Sequence, residues 1–309
     1  MTTEPDRPVG DLRANRLLVV GATGTIGEPL VKHLLGTETG IRVATRRPQD
    51  ARELFGGVPE YVQFDLSHPE TWGQTLTHVD KMVLLLPSGS GVTAVREFSN
   101  AADRVGVDHV VSLSILGAEK LPILPHRRTE KHLAQTGMAY TFLRASLFMQ
   151  NLSGIHRPEI VKRDEIFVPA GDGVLSFTDA RDVAAVAATV LTESGHRSRA
   201  YDLTGPAALD FEDVADVFSG VLDRQVGYPA PSRLTFGREM YRRGFSPGFV
   251  VFMIVEYSIV RLGFSGRTTD DVETLLGRPP RSVREFVEDY ADVFRPERVS
   301  NASESAPRT

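Results

Sequence analysis

Glycines stand at 21, 24 and 27, directly after the apolar run Leu17-Leu18-Val19-Val20, in the segment Gly21-Ala22-Thr23-Gly24-Thr25-Ile26-Gly27. Each glycine answers a separate mechanical need. The first permits a tight turn, the second lets backbone approach a pyrophosphate, and the third lets a helix pack close to the preceding strand. With Thr23 in the turn, the free N–H groups at the helix start, around Thr25 and Ile26, then face the phosphates along the helix dipole. Pro29 falls in the first helical turn, where its missing N–H costs little. A glycine motif alone is weak. Here it follows an apolar strand and opens a helix, the context in which it binds a dinucleotide.

The end of the second strand selects the dinucleotide. NAD usually meets an Asp or Glu about 20 residues beyond the glycines. The run 41–45 ends instead in Arg46 and Arg47. A guanidinium presents a planar fork of donors suited to phosphate. The reading is therefore NADPH, with Arg46 on the 2′-phosphate and Arg47 a second contact or an adenine-stacking group. Solvated loop charges are the plainer alternative. Asp65 and Leu66, just after the third run, are placed to meet the adenine edge, unless Asp65 only caps the turn before Pro69. Leu86 and Pro87 end the fourth run, so their backbone should lie along ribose and pyrophosphate.

The elements that must position these residues alternate. Short β-rich runs lie at 16–20, 41–45, 61–64, 82–86, 109–115 and 140–144, and helical patterns between them at 26–35, 92–105 and 128–135. Such alternation indicates βαβ units and an α/β fold, a Rossmann-type doubly wound parallel sheet covered on both faces. Beyond residue 155 a Gly- and Pro-rich stretch precedes a helix at 179–191 with Asp179 as its N-cap, a strand at 201–204 and a helix at 211–222. After Pro231 the pattern is helical. The expected organisation is a dinucleotide-binding domain over 15–154, completed by elements within 174–204. A smaller, mainly helical substrate lobe would comprise 155–173 and 205–295, and the tails 1–14 and 296–309 read as disordered. The segment 247–264 is apolar nearly all round, with only Glu256 and Arg261 charged. Such a helix is core, a homodimer contact or the lining of an apolar cavity.

Composition removes other classes. The 309 residues contain no cysteine, which excludes disulfide frameworks, thiolate zinc sites and cysteine nucleophiles. A net charge of −5 argues against a nucleic-acid partner. The longest apolar run, 249–255, falls far short of the roughly 20 residues a spanning helix needs, so no membrane partner and a cytoplasmic location are expected. The eight histidines are scattered, so no metal site is expected, and neither a Gly-x-Ser-x-Gly elbow nor a Walker loop occurs.

The chain resembles the NmrA-like group of atypical short-chain dehydrogenases/reductases. The likeness rests on the glycine segment, Thr45-Arg46-Arg47-Pro48, Val110-Val111-Ser112-Leu113-Ser114, Thr129-Glu130-Lys131, Tyr140-Thr141-Phe142-Leu143-Arg144 and Asn151. It continues through Phe177-Thr178-Asp179-Ala180-Arg181-Asp182, Tyr201-Asp202-Leu203-Thr204-Gly205 and Leu276-Gly277-Arg278-Pro279-Pro280, and so covers nearly the whole chain. The Tyr-x-x-x-Lys pair of most short-chain dehydrogenases would fall near Pro122 and His126, and its tyrosine is absent. The resemblance then implies hydride transfer to quinones or other conjugated acceptors that need little proton donation from the enzyme.

Ser112 and Ser114 share one face of the fifth strand, whose carboxyl end meets the ligand crevice. Ser112 is a candidate cofactor contact. Ser114, in the place of the usual active-site serine, could donate to a substrate carbonyl or simply fill its strand. His126 could supply a proton near neutral pH or merely cap its helix. Lys131 reaches the nicotinamide ribose or lies solvated. By resemblance Phe148, Met149 and Asn151 wall the substrate, with Phe148 as core the alternative. Glu256 and Tyr257 could offer it polar groups, unless Arg261 pairs with Glu256 structurally. The combined expectation is an NADPH-dependent reductase of a small, flat, apolar, conjugated substrate. A dinucleotide-sensing regulator without turnover, or a dehydratase, epimerase or cyclase on the same fold, are the alternatives.

Overall fold

A computed structural model describes residues 16–85, 91–122 and 124–295. Strands β1 (Arg16–Val20), β2 (Gly40–Thr45), β3 (Glu60–Gln63), β4 (Lys81–Leu84), β5 (His109–Ile115) and β6 (Ala139–Ala145) build most of the main sheet. β7 (Leu175–Ser176) and β9 (Ala208–Leu209) pair apart from it, and β8 (Arg199–Leu203) is its last strand. The order is β3-β2-β1-β4-β5-β6-β8, and every pairing is parallel. The order reverses between β1 and β4, which creates the crevice where open α/β sheets take ligands. The sheet thus has seven strands, one more than the six runs of the first half. β8 begins two residues before the expected 201–204, because Arg199 and Ala200 already pair with Thr141 and Phe142.

The first half supplies α1 (Gly27–Leu34), α2 (Pro48–Phe55), α3 (Trp72–Leu76), α4 (Val92–Arg104) and α5 (Pro125–Leu133). The second supplies α6 (Gln150–Ser153), α7 (Arg157–Arg163), α8 (Ala180–Thr192), α9 (Phe211–Leu222), α10 (Arg233–Arg242) and α11 (Pro247–Arg261). It ends with α12 (Asp271–Leu276), α13 (Val283–Asp289) and α14 (Ala291–Phe294). α5 starts three residues before the apolar periodicity does, with Pro125 in its first turn, where proline fits.

Strand alternation divides the sheet residues between two layers. Val19, Val43, Val83, Val111 and Leu143 pack with α1, α2, α8 and α12. Leu18, Ala44, Met82, Val110 and Phe142 pack with α3, α4 and α5. Both faces are covered, which is why these strands read as unbroken apolar runs. A third core joins Met149, Ile160, Phe177, Phe211, Phe218, Phe236, Tyr257, Phe286 and Phe294 from the elements after β6. Asp179 caps α8 by accepting from the Arg181 N–H at 2.8 Å. Buried Asp182 fastens α8 to the segment before α13, accepting from Arg278 Nη2 at 2.7 Å and from the Arg281 N–H at 2.7 Å.

α11 is core along one side only. It ends at Arg261, and only Val250, Met253, Tyr257 and Val260 are buried along it. The tails 1–14 and 296–309 lie outside the described residues, as do Leu86 and Pro87.

Candidate active site

The glycine loop closes at the sheet's switch point. Gly21 adopts φ +88°, and a Cβ there would stand 2.2 Å from the Leu85 carbonyl oxygen on the strand across the crevice. A Cβ on Gly27 would stand 2.1 Å from the Gly21 oxygen, so the third glycine lets α1 press against the loop. The Gly24 N–H donates to the Gly21 carbonyl at 3.1 Å and completes the turn. Thr23, Gly24 and Thr25 are exposed. The N–H groups of Thr25 and Ile26 make no backbone hydrogen bond among the described residues. An uncluttered turn with unspent donors at the start of an eight-residue helix has the shape and polarity for a pyrophosphate.

Arg46 lies just past β2, exposed, with no hydrogen-bond or ion-pair partner among the described residues. Arg47 is also exposed and stands 3.6 Å from Asp50. Asp65 accepts the Ser67 N–H at 2.8 Å and lies 3.4 Å from His68, so it caps its own turn. The Ser67 hydrogen bond is the main reason its carboxyl is held below the ordinary range, against some burial and with help from His68 and Arg46. Leu66 is partly buried against the layer that holds Trp72 and Phe98.

At the carboxyl end of β5, Ser114 is 2% exposed and donates its hydroxyl proton to Glu130 Oε1 at 2.8 Å. Glu130 also accepts from Arg127 Nη1 at 3.0 Å and from Arg144 Nε and Nη2 at 2.8 and 2.9 Å. Burial disfavours its ionised form, yet the hydrogen bonds from Arg144 and Ser114 outweigh that and hold its carboxyl below the ordinary range. The Ser114 proton is thus engaged in a tie joining β5, α5 and β6. Sequence reasoning used Glu130 and Arg144 only as markers of likeness. Their opposite charges at the ends of adjoining elements were the available signal. Ser112 is buried, and its hydroxyl reaches only the Leu113 carbonyl, at 3.4 Å.

His126 is the second residue of α5, half-buried, and its buried Nδ1 has no hydrogen-bond partner among the described residues. Burial lowers its pKa below the usual imidazole value, and Glu130, one turn further on, opposes that only in part. It is therefore a neutral imidazole at pH 7 with an unengaged ring nitrogen. Lys131 is exposed on a groove between α5 and the sheet edge, bordered by Arg127, Tyr140, Phe142 and Arg199.

The residues after β6 divide. Phe148 and Asn151 are half-buried, whereas Met149 is fully buried in the third core. Met149 therefore has no surface to offer a substrate, which corrects that expectation. Tyr257 is also a correction. Its hydroxyl shares a 2.5 Å hydrogen bond with His156 Nε2, and its ring packs edge-on against Phe211 and Phe236. Burial first, and Arg243 second, push His156 down to about 3, so the pair is neutral. A lone histidine in a polar-looking segment gave no hint of this. Glu256 is half-buried, and burial pushes its carboxyl up to about 7. The expected Glu256–Arg261 pair does not form, because the Arg261 guanidinium lies against Gly171 instead.

Comparison with known proteins agrees with this geometry. Residues 21–194 match the family model described as NAD(P)H-binding. The NAD(P)H azoreductase of Xenophilus azovorans is 33% identical, over 90% of this chain and 99% of its own. Quinone oxidoreductase 2 of Escherichia coli, solved with NADPH, superposes with a TM-score of 0.81 at 26% identity, covering 89% of this chain and 99% of its own. Triphenylmethane reductase of Citrobacter sp., solved with NADP(H), gives 0.79 at 25% identity over 89% and 99%. The glycine cradle, the parallel sheet that carries it and these likenesses agree: the chain belongs to the NAD(P)H-binding family, as an NAD(P)H-dependent oxidoreductase without the Tyr-x-x-x-Lys pair.

Proposed function

We propose that the protein is an NADPH-preferring reductase of flat, apolar, conjugated acceptors of the quinone or azo-dye type. The observation that carries this is Arg46, an unpartnered guanidinium where an NAD-selective site would place a carboxylate. Bound NADPH supplies hydride to the acceptor. Thr23, Gly24, Thr25 and Ile26 hold its pyrophosphate, Arg46 its 2′-phosphate, and Asp65, Leu66, Leu86 and Pro87 border its adenosine half. Ser112 and Lys131 meet the nicotinamide half.

The chain's own work at the reacting end is mainly positional. Phe148 and Asn151 border the acceptor, and the lobe of residues 155–173 and 205–295 closes over it. Neutral His126 donates a ring N–H to the developing oxyanion. A further proton reaches that oxygen from water. The relatives are named as an azoreductase, a quinone oxidoreductase and a triphenylmethane reductase, and azo, quinone and triphenylmethane-dye acceptors share extended conjugation.

The test is titration with NADPH and NADH, followed by absorbance at the reduced-nicotinamide band on adding quinones and azo dyes. Tighter NADPH binding with acceptor-dependent loss of absorbance is expected. Tight binding without loss across the panel would overturn the reductase reading in favour of a dinucleotide sensor.

A further inference from the structure

One face of α11 has no cover among the described residues. Val250, Met253, Tyr257 and Val260 turn into the lobe core, whereas Val251, Val255 and Leu262 are 60%, 49% and 67% exposed. α10 runs beside it, with Gly237 against Val250 and Ile254. Helical periodicity sets Leu234 and Tyr241 on the rim of α10 nearest α11, and Val251 and Val255 on the rim of α11 nearest α10. The exposed apolar side chains of the two rims thus stand on neighbouring helices, and exposed Phe264 follows the end of α11. Seven of the twelve exposed large apolar side chains among the described residues lie between Leu234 and Phe264. A concentration of that kind marks an interaction site.

The exposed charge on α10 is positive. Between Arg233 and Phe264 the sequence holds five arginines and two glutamates, in a chain of net charge −5. Arg243 is turned inward onto Glu159 and the Ile155 carbonyl, and Arg261 lies against Gly171. Arg233, Arg238 and Arg242 remain exposed on α10. Glu239 is held by Arg163 and Arg242, and Glu256 is half-buried on the other flank of α11.

We propose that the apolar face of α10 and α11, with its exposed arginines, docks the protein onto the surface of an anionic lipid bilayer. Apolar side chains enter the boundary between headgroups and acyl chains, and the arginines meet lipid phosphates, as in interfacial helices. A second copy of the chain fits the face less well. It would bring the like-charged arginines of α10 together, whereas the exposed carboxylate of Asp172 lies by the end of α11, where Gly171 and Gly173 meet Val260 and Arg261. No helix among the described residues is long and apolar enough to cross a membrane, and docking needs none. The sequence-based expectation of no membrane partner is thereby revised for surface binding only.

The inference goes beyond the reductase reading and is tested without any acceptor. The full chain is floated with vesicles of phosphatidylcholine alone and of equimolar phosphatidylcholine and phosphatidylglycerol. Flotation with the anionic vesicles, reversed by high salt, is expected. Leu234→Asp with Val251→Asp, and separately Arg238→Ser with Arg242→Ser, should each lower the bound fraction roughly tenfold or more. Melting temperature and NADPH affinity should be unchanged in both. If the aspartate pair fails to fold, the arginine pair, on surface side chains, decides alone. Absence of flotation, or flotation unaffected by the arginine pair, would overturn the proposal. So would a dimer that the aspartate pair dissociates in a protein that binds no vesicles, which would assign the face to a second copy.

Discussion

Arg144, at the end of β6, grips Glu130 on α5 through two parallel hydrogen bonds of 2.8 and 2.9 Å, and the carboxylate they hold is almost wholly buried. Ser114 and Arg127 supply the remaining donors, so Glu130 is fully satisfied. The same grip fixes the start of α5, where His126 stands.

Breaking one partner should be costly, because it leaves a buried charge without compensation. Arg144→Met should lower stability by about 3–5 kcal/mol, measured by urea unfolding. Ser114→Ala removes one neutral donor and should cost only about 1 kcal/mol. A collapse of reductase activity in Ser114→Ala with the fold intact would restore that hydroxyl to the chemistry.

His156 and Glu130 both contribute to the acid limb of stability. His156, pushed down to about 3 in the folded chain, binds protons in the unfolded chain first. Its contribution is full above the ordinary imidazole value of roughly 6.5 and declines as pH falls towards the folded value. Glu130, also held low, adds a second loss below the ordinary carboxylate range. His156→Phe should flatten the dependence of the urea midpoint on pH below about 6.5, in the upper part of which Glu256, held at about 7 by burial, works in the opposite sense.

In the proposed site, cofactor preference rests on Arg46. Arg46→Ala should weaken NADPH by roughly ten- to a hundredfold, the scale of a charged hydrogen bond, and leave NADH nearly unchanged. Titration by nicotinamide fluorescence reads this directly, and equal losses for both cofactors would remove the 2′-phosphate assignment.

The cradle tolerates no side chain at its base. Gly27→Ala would drive a methyl into the Gly21 carbonyl and should lose dinucleotide binding while destabilising the fold by about 1–3 kcal/mol. Gly24→Ala, facing open space apart from one 3.3 Å contact, should keep the fold and lose affinity only.

His126 should act in its neutral form. With its pKa lowered by burial, kcat/KM should be level above pH 7 and fall only as pH drops through the lowered value. His126→Phe should cut turnover roughly ten- to a hundredfold with NADPH affinity retained. A profile that instead rises on acidification would show that the imidazolium is the active form.

What the sequence made legible was whatever depends on local pattern. The strand, glycine turn and helix around Gly21 declare themselves because each glycine meets a steric demand within a few residues. Asp179 as a cap and the helix at Phe211–Leu222 are equally local. Side-chain fates set by distant partners were not legible. Met149 and Tyr257 looked like substrate contacts and are core, because elements far along the chain fold over them. Ser114 looked free until Glu130 and Arg144 were brought to it. The exposed side of α11 was hidden by a composition that is apolar all round.

Asp182 has a consequence for modularity. The stretch matched as nucleotide-binding ends at 194, yet β8, which completes the sheet, follows it, and the arginines that neutralise Asp182 come from positions 278 and 281. A fragment cut after 194 would expose the edge of β6 and strand a carboxylate that the intact protein keeps at 1% exposure. The nucleotide-binding half is thus not a transplantable cassette. Chimeras that exchange substrate lobes between relatives should fold only if the junction carries β8 and both arginines along with the sheet.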